Sequence, residues 1–304
     1  MHIFLTGATG HIGSAALAAM IRGGHRVTAI ARDPEKAQRL LAKGTTPVLA
    51  ELGLAKPYLP LLASADAVVH TAYESSARGV QLDQQTIELM LAAQREAMAA
   101  DGKPRAFIYT SSVWVLGRTA KAADEGAPLR PPQHVAWRPA HEALVMAAQS
   151  FGLRSVVVRP GIVYGGGRGI VGDLIKDALN GIIRVVGPGK NRWSCVNDHD
   201  LGDLYVRILD SPAAAGVFHA NDEADERVSD IVEAIADQVP QRPDIRNMPM
   251  VEARKKLGTY ADALALDQTV RSPRARALGW APSKASVATS VARLLEELRG
   301  SKSE

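Results

Sequence analysis

Three glycines in Thr6-Gly7-Ala8-Thr9-Gly10-His11-Ile12-Gly13 are spaced to hold a phosphate. Glycine lets a backbone approach a pyrophosphate closely, and a helix start behind it offers unpaired N–H groups and a positive dipole end. That chemistry needs a strand before the glycines and a helix after them. The apolar run His2-Ile3-Phe4-Leu5 supplies the strand, and residues 11–22 read as the helix. Without a ligand the same pattern is only a tight strand–helix turn, so the context on both sides carries the reading.

Such a turn must stand on a sheet, and the first half of the chain alternates between strand and helix patterns. Short apolar runs predict strands at 26–31, 46–50, 66–70, 106–111 and 154–159. Strands separated by helices require parallel crossovers and a sheet covered on both faces. Ile87, Met90, Leu91 and Met98 mark one face of a long helix. That stripe packs on the sheet or, in the sharper reading, forms a homodimer interface. After Arg159 the alternation breaks: 161–191 is glycine-rich, with a turn signal at Gly187-Pro188-Gly189. A short apolar element begins at Val196. Helices are expected at 200–209, 228–238 and 285–299, and a strand at 216–220. The expected fold is α/β: a doubly wound parallel Rossmann-type sheet over residues 1–160, rejoined by 196–221, with a smaller interleaved substrate lobe from 161–195 and 222–304.

Composition narrows the class. The 304 residues suffice for one large domain or two small ones. A single cysteine, Cys195, excludes an internal disulfide and suggests a reducing, cytoplasmic setting. No secretion signal is expected before the first strand, and no run of about 18 apolar residues occurs, so no membrane contact is expected. Net charge is +4 with both signs interspersed, which argues against a dedicated nucleic-acid surface. The histidines are scattered, none at H-x-x-x-H spacing, and Asp198 and Asp200 around His199 suit a helix start, so no metal is expected.

With the glycine motif as anchor, further segments resemble the extended short-chain dehydrogenase/reductase family, which includes sugar-nucleotide epimerases and dehydratases. Asp66-Ala67-Val68-Val69-His70-Thr71-Ala72 is similar to its fourth-strand motif, and Thr110-Ser111-Ser112-Val113-Trp114-Val115-Leu116-Gly117 to its catalytic-serine segment. Arg159-Pro160-Gly161-Ile162-Val163-Tyr164-Gly165, Asp198-His199-Asp200-Leu201-Gly202-Asp203 and Leu278-Gly279-Trp280-Ala281-Pro282 resemble later landmarks. The resemblance implies an NAD(P) site lined by Thr6, Gly7, Thr9, Gly10, His11, Ile12, Gly13, His70, Thr71, Ala72, Ser111, Pro160 and Gly161. In NAD-preferring members an acid ends the second strand and bonds the ribose hydroxyls. Here Ala31 is followed by Arg32, which can take a 2′-phosphate bidentately, with Lys36 as a second cation. NADP(H) is therefore expected over NAD(H); the bland alternative for Arg32 is a solvated charge.

The family's usual engine is a Tyr-x-x-x-Lys pair with a nearby serine. The tyrosine exchanges a proton with the substrate, and the lysine holds the nicotinamide ribose and lowers the tyrosine pKa. Ser112 matches the serine. Where the pair belongs stands Trp137-Arg138-Pro139-Ala140-His141. An indole N–H cannot shuttle protons near neutral pH. Pro139 fits a first helical turn, so the helix is expected to start there, leaving Trp137 and Arg138 in a loop. His141 could stand in for the lysine or act as an acid/base group. Tyr73 and Tyr164 each follow a strand on the rim where such sheets bind ligands, and are alternative proton donors. Gly165-Gly166-Gly167-Arg168-Gly169 reads as a flap over the cofactor or as a plain surface loop.

The leading expectation is an atypical family member: a cytoplasmic NADP(H)-dependent oxidoreductase for a small carbonyl or alcohol. The alternatives are an NADP(H)-binding sensor without turnover and a non-redox epimerase or dehydratase with bound cofactor.

Overall fold

A computed structural model describes residues 1–150, 152–284 and 286–300. In chain order its elements are β1 (His2–Thr6), α1 (His11–Arg22), β2 (Arg26–Ala31), α2 (Pro34–Ala42), β3 (Thr46–Leu49), α3 (Leu59–Ala63), β4 (Ala67–His70), α4 (Gly79–Asp101) and β5 (Arg105–Thr110). A 3-10 turn (Val113–Leu116) precedes α5 (Arg138–Ala147), β6 (Leu153–Pro160), β7 (Ile162–Tyr164), α6 (Gly169–Leu179), β8 (Ile182–Val186), β9 (Arg192–Trp193) and β10 (Cys195–Asn197). Then come α7 (Asp198–Asp210), β11 (Gly216–Ala220), β12 (Glu226–Arg227), α8 (Val228–Gln238), β13 (Asp244–Met248), α9 (Met250–Leu257), α10 (Tyr260–Leu264), α11 (Pro273–Ala277) and α12 (Val287–Gly300).

The chain divides into two compact units. The first holds residues 1–111, 137–158 and 201–218; the second holds 112–136, 159–200 and 219–304. Residues 112–136, 159–160, 196–200 and 219–221 group with the second unit, and the two units are nearly equal in length.

The main sheet has strand order β11-β6-β5-β4-β1-β2-β3, and neighbours from β6 to β3 run parallel. Strand order reverses between β1 and β4, which makes the carboxyl ends of those two strands the switch point where such sheets bind ligands. Strands β1 and β5 are buried along their whole length, as expected of central strands covered on both faces. In the first unit Phe4, Val68, Phe107 and Val157 meet Ile87, Met90 and Leu91, with Met98 packed at the margin. Intrachain packing thus takes up the apolar stripe of α4.

The second unit builds its own core from Ile162, Val171, Ile175, Ile183, Ile231, Ile235, Val291 and Leu294. The stretch read as a glycine-rich break carries a complete passage through β7, α6 and β8. The missed signal was helical spacing: Val171, Leu174, Ile175 and Ala178 fall on one buried face of α6. Ala285, the expected first residue of the last helix, lies outside the described residues. Among the described residues no helix is long and apolar enough to cross a membrane.

Candidate active site

The glycine turn follows β1 in the first unit. Gly7 has φ +75°, and a Cβ there would stand 2.6 Å from Thr71 Oγ1 and 2.7 Å from the Ala72 nitrogen. A Cβ on Gly13 would overlap the Gly7 carbonyl. Both positions therefore require glycine. Gly10 donates its N–H to the Gly7 carbonyl at 2.8 Å and serves as N-cap of α1. No side chain caps this helix and no acid occupies its first turn, so no acidic side chain there offsets the positive end of the dipole. The residues present fit a bound pyrophosphate. Thr6, fully buried, fixes the facing strand: its carbonyl accepts from Thr71 Oγ1 at 2.7 Å and its own hydroxyl oxygen from the Ala72 N–H at 3.3 Å.

At the end of β2, Ala31 is buried and Arg32 is exposed. Asp33 turns back to cap α2, accepting the Lys36 N–H at 2.8 Å and pairing with the Lys36 ammonium. Lys36, expected as a second phosphate cation, is thus paired with Asp33 at the start of α2. Lys36's hydrogen bonds chiefly hold the Asp33 carboxyl below its usual range, and the Arg32 charge adds to them. Asp33 is thus committed to the helix, and Arg32 is the exposed side chain at the strand end.

Between β4, β5, α4 and α5 lies a buried polar network. The Asp83 carboxylate receives Tyr109 OH at 2.9 Å and His141 Nδ1 at 2.7 Å on one oxygen, and His70 Nε2 at 3.1 Å on the other. His70 Nδ1 meets Thr6 Oγ1 at 2.6 Å. All five residues are at most 4% exposed. Burial opposes ionisation of Asp83, but the bonds from His141, His70 and Tyr109 and the His70 charge outweigh it, holding the carboxyl well below the usual carboxylate range. A carboxylate only accepts, so the ring nitrogens facing it carry hydrogen. The sequence reading named His70 and His141 but missed Asp83. Its signal was a charged residue on the apolar stripe of α4, one turn before Ile87.

Helix α5 starts one residue earlier than expected, at Arg138, with Trp137 as N-cap. Trp137 stacks on Tyr73 at 5.1 Å and 12°, and the Arg138 guanidinium lies 4.4 Å from the Trp137 ring and 5.8 Å from the Tyr73 ring. Tyr73 is 41% exposed, so its phenol remains open to a ligand. Arg138 also donates to the Thr110 carbonyl at 3.2 Å. Beside it Ser111 is buried, and its hydroxyl has no partner among the described residues, an orphan suited to a bound group.

In the second unit, Ser112 Oγ accepts the Trp114 N–H at 3.2 Å and caps the 3-10 turn, leaving its O–H proton to give. Pro160 ends β6, and Gly161 is small because a Cβ would strike the Ser194 carbonyl. Tyr164 is corrected as a proton donor. Its ring is fully buried, its hydroxyl donates to the Lys284 carbonyl at 2.7 Å, and burial followed by the charge of Asp222 pushes its pKa far above the ordinary tyrosine value. The Gly165–Gly169 loop is tied down: Gly166 N–H donates to Glu297 at 2.9 Å and Arg168 N–H to the Gly165 carbonyl at 3.2 Å. Cys195 is buried, and burial raises its thiol pKa, so it is a core residue rather than a nucleophile. Asp200 accepts from Ser283 and the Lys284 N–H, which gives that acid a structural task.

A glycine turn at the switch point of a parallel sheet defines a dinucleotide-binding fold. The chain belongs to the NAD dependent epimerase/dehydratase family, whose model matches residues 3–220. It is 30% identical to the uncharacterized protein C2A9.02 of Schizosaccharomyces pombe over 96% of this chain and 98% of that one. It is 32% identical to 4-hydroxy-2-methyl-3-oxo-4-farnesyl-3,4-dihydroquinoline-1-oxide ketoreductase of Stigmatella aurantiaca over 54% of this chain and 51% of that one. Among solved structures, human epimerase family protein SDR39U1 with NADPH superposes with a TM-score of 0.77 at 21% identity, covering 97% of this chain and 99% of that one. The UDP-glucose 4-epimerase of Thermus thermophilus with NAD gives 0.79 at 20% identity, covering 99% of each. At those identities the two structures establish the fold alone.

Proposed function

We propose that this chain is an NADP(H)-dependent oxidoreductase of the atypical extended short-chain dehydrogenase/reductase type, acting on a small carbonyl or alcohol. The observation that carries this reading is the glycine turn at the switch point, where Gly7 and Gly13 let the turn close on Thr71, Ala72 and α1, and the start of α1 has no side-chain cap and no acid. Thr6, Gly7, Thr9, Gly10, His11, Ile12 and Gly13 would hold the pyrophosphate, with Thr71, Ala72 and Ser111 further along the rim. Arg32 would take the 2′-phosphate, because β2 ends without a free acid and Asp33 is spent on α2. A bound nicotinamide supplies or accepts the hydride. The Ser112 hydroxyl would polarise the substrate oxygen, and Tyr73 stands exposed beside the position the usual tyrosine would hold. The 32% identity to the Stigmatella ketoreductase, over 54% of this chain, supports reductase chemistry. Trp137 in the tyrosine's place favours one second reading, an NADP(H)-binding sensor without turnover.

A titration with NADPH and NADH by nicotinamide fluorescence, repeated with Arg32→Ala, tests the cofactor. NADPH should bind more tightly than NADH, and the variant should weaken NADPH alone by about tenfold or more, the loss of a charge-assisted bond. Equal binding of both nucleotides by wild type and variant would remove the NADP assignment. No binding of either would remove the oxidoreductase.

A further inference from the structure

We propose that Asp83 and His141 replace the missing tyrosine–lysine pair: Asp83 orients the His141 ring, and His141 Nε2 holds and delivers the proton that the substrate oxygen takes up. The inference rests on the oxidoreductase reading and adds the group that completes it.

Position is the first argument. His141 follows Trp137 by four residues, the spacing at which the resemblance places the lysine after the tyrosine. Geometry is the second. His141 Nδ1 is taken by Asp83 at 2.7 Å, so Nε2 is the only ring nitrogen left for an outside partner. A carboxylate that fixes one imidazole nitrogen sets the tautomer and aims the other, the arrangement by which histidines serve as proton carriers. Connection is the third. The network does not end inside the core. The His141 ring meets Trp137 edge-on at 4.8 Å, and Trp137 stacks on the exposed Tyr73. In the other direction, His70 links Asp83 to Thr6, the residue directly before the glycine turn. One hydrogen-bonded chain therefore runs from the phosphate cradle to the start of α5. Tyr109, the phenol on Asp83, is 1% exposed and donates its O–H to the carboxylate, so it supports the pair and does not substitute for it.

In the reducing direction the carbonyl carbon gains a hydride, the dihydronicotinamide being the reductant. The carbonyl oxygen gains the Nε2 proton. C–H and O–H bonds form, the C=O π bond and the Nε2–H bond break, and the neutral imidazole left on Asp83 recovers a proton from water.

Two-bond proton–nitrogen NMR of the histidine rings reads this directly in the full chain, with NADPH as probe and Asp83→Asn and His141→Gln for assignment. Wild type should show His141 carrying hydrogen at both Nδ1 and Nε2, with an Nε2 signal that moves when NADPH is added. Asp83→Asn should leave a single ring proton, on Nε2, and abolish that response. The proposal is overturned by an unchanged pattern of ring protons in Asp83→Asn, or by an Nε2 signal indifferent to NADPH that demonstrably binds. If wild type binds no NADPH, the oxidoreductase reading falls, and the proton loses its destination even where the ring-proton result holds. His141→Gln gives an arm that does not depend on Asp83→Asn folding. With NADPH and ethyl 3-oxobutanoate as probe, kcat should fall by about a hundredfold or more while KM and thermal midpoint stay close to wild type, the usual size of a lost general acid. Unchanged kcat in that variant overturns the proposal.

Discussion

Asp83 in the first unit and Asp222 in the second are both nearly enclosed, at 4% and 6% exposure, yet their carboxyls shift in opposite directions. Burial pushes Asp222 up to about 8; the like charges of Glu226, Asp225 and Asp200 add to this, against one bond from the Ala224 N–H. Its second oxygen has no partner among the described residues. The neighbouring acids are all answered elsewhere. Glu226 caps α12 through Ser286, Val287 and Ala288, Asp225 pairs with Arg271, and Asp200 is held by Ser283 and Lys284. Asp83 is as deeply buried and has three donors facing it. Burial alone therefore does not decide ionisation here; the number of donors facing the carboxylate does. The contrast separates a built ionic centre from an acid kept neutral by its surroundings.

Removing the built centre should have the largest effect. Asp83→Ala strands Tyr109, His70 and His141 without their acceptor, and should cost about 3–5 kcal/mol of stability at neutral pH. Because the folded carboxyl is held low, its contribution is full above the usual carboxylate range and is lost as pH falls below it. The gap between wild type and variant in urea unfolding should therefore narrow in acid. A gap under about 1 kcal/mol at pH 7 would mean the three donors find other partners and the centre is not one.

Asp222 should behave in the opposite way. Its folded pKa lies near 8 against an ordinary 3.8, so the unfolded chain releases this proton first as pH rises. Its contribution is full below about pH 4 and is gone once pH passes its folded value. Asp222→Asn keeps the shape and removes the charge. The variant should unfold later than wild type at pH 8, by on the order of 2–4 kcal/mol, and should converge with it near pH 4. A variant no more stable than wild type at pH 8 would show that Asp222 ionises in place, and the contrast with Asp83 would collapse.

How much of this is legible in sequence depends on whether the signal is local or long-range. The β1–glycine–α1 passage is local, and its residues carry the geometry themselves: Gly7 and Gly13 cannot be anything else at that turn. Strands β2 and β11 were likewise bounded correctly, because apolar runs and turn residues are local signals. The Asp83 centre instead joins residues from β1, β4, α4, β5 and α5. Asp83 and His141 stand 58 positions apart, and no spacing rule ties them together. Tyr164 failed as a proton donor for a related reason. Its place after a strand was correct, but nothing local revealed that Lys284 would close over its hydroxyl. The Asp33–Lys36 pairing went unread although it is short-range, since Asp33 is also a helix cap.

The smallest change sharpens the comparison most finely. Tyr109→Phe removes one donor from Asp83 and little else, because the ring can stay in place beside His70, 5.9 Å away at 28°. Losing one hydrogen bond to a charged group should cost about 1–2 kcal/mol, partly offset because the cost of desolvating the phenol hydroxyl goes with it. The more telling readout is the carboxyl itself. If donor number separates Asp83 from Asp222, the Asp83 carbon resonance should titrate at a higher pH in Tyr109→Phe than in wild type, moving toward its counterpart in the second unit. The two histidines still face it, so it should stop well short. A midpoint that does not move would mean that the imidazoles alone set the ionisation of Asp83, and that Tyr109 reports on the centre without helping to make it.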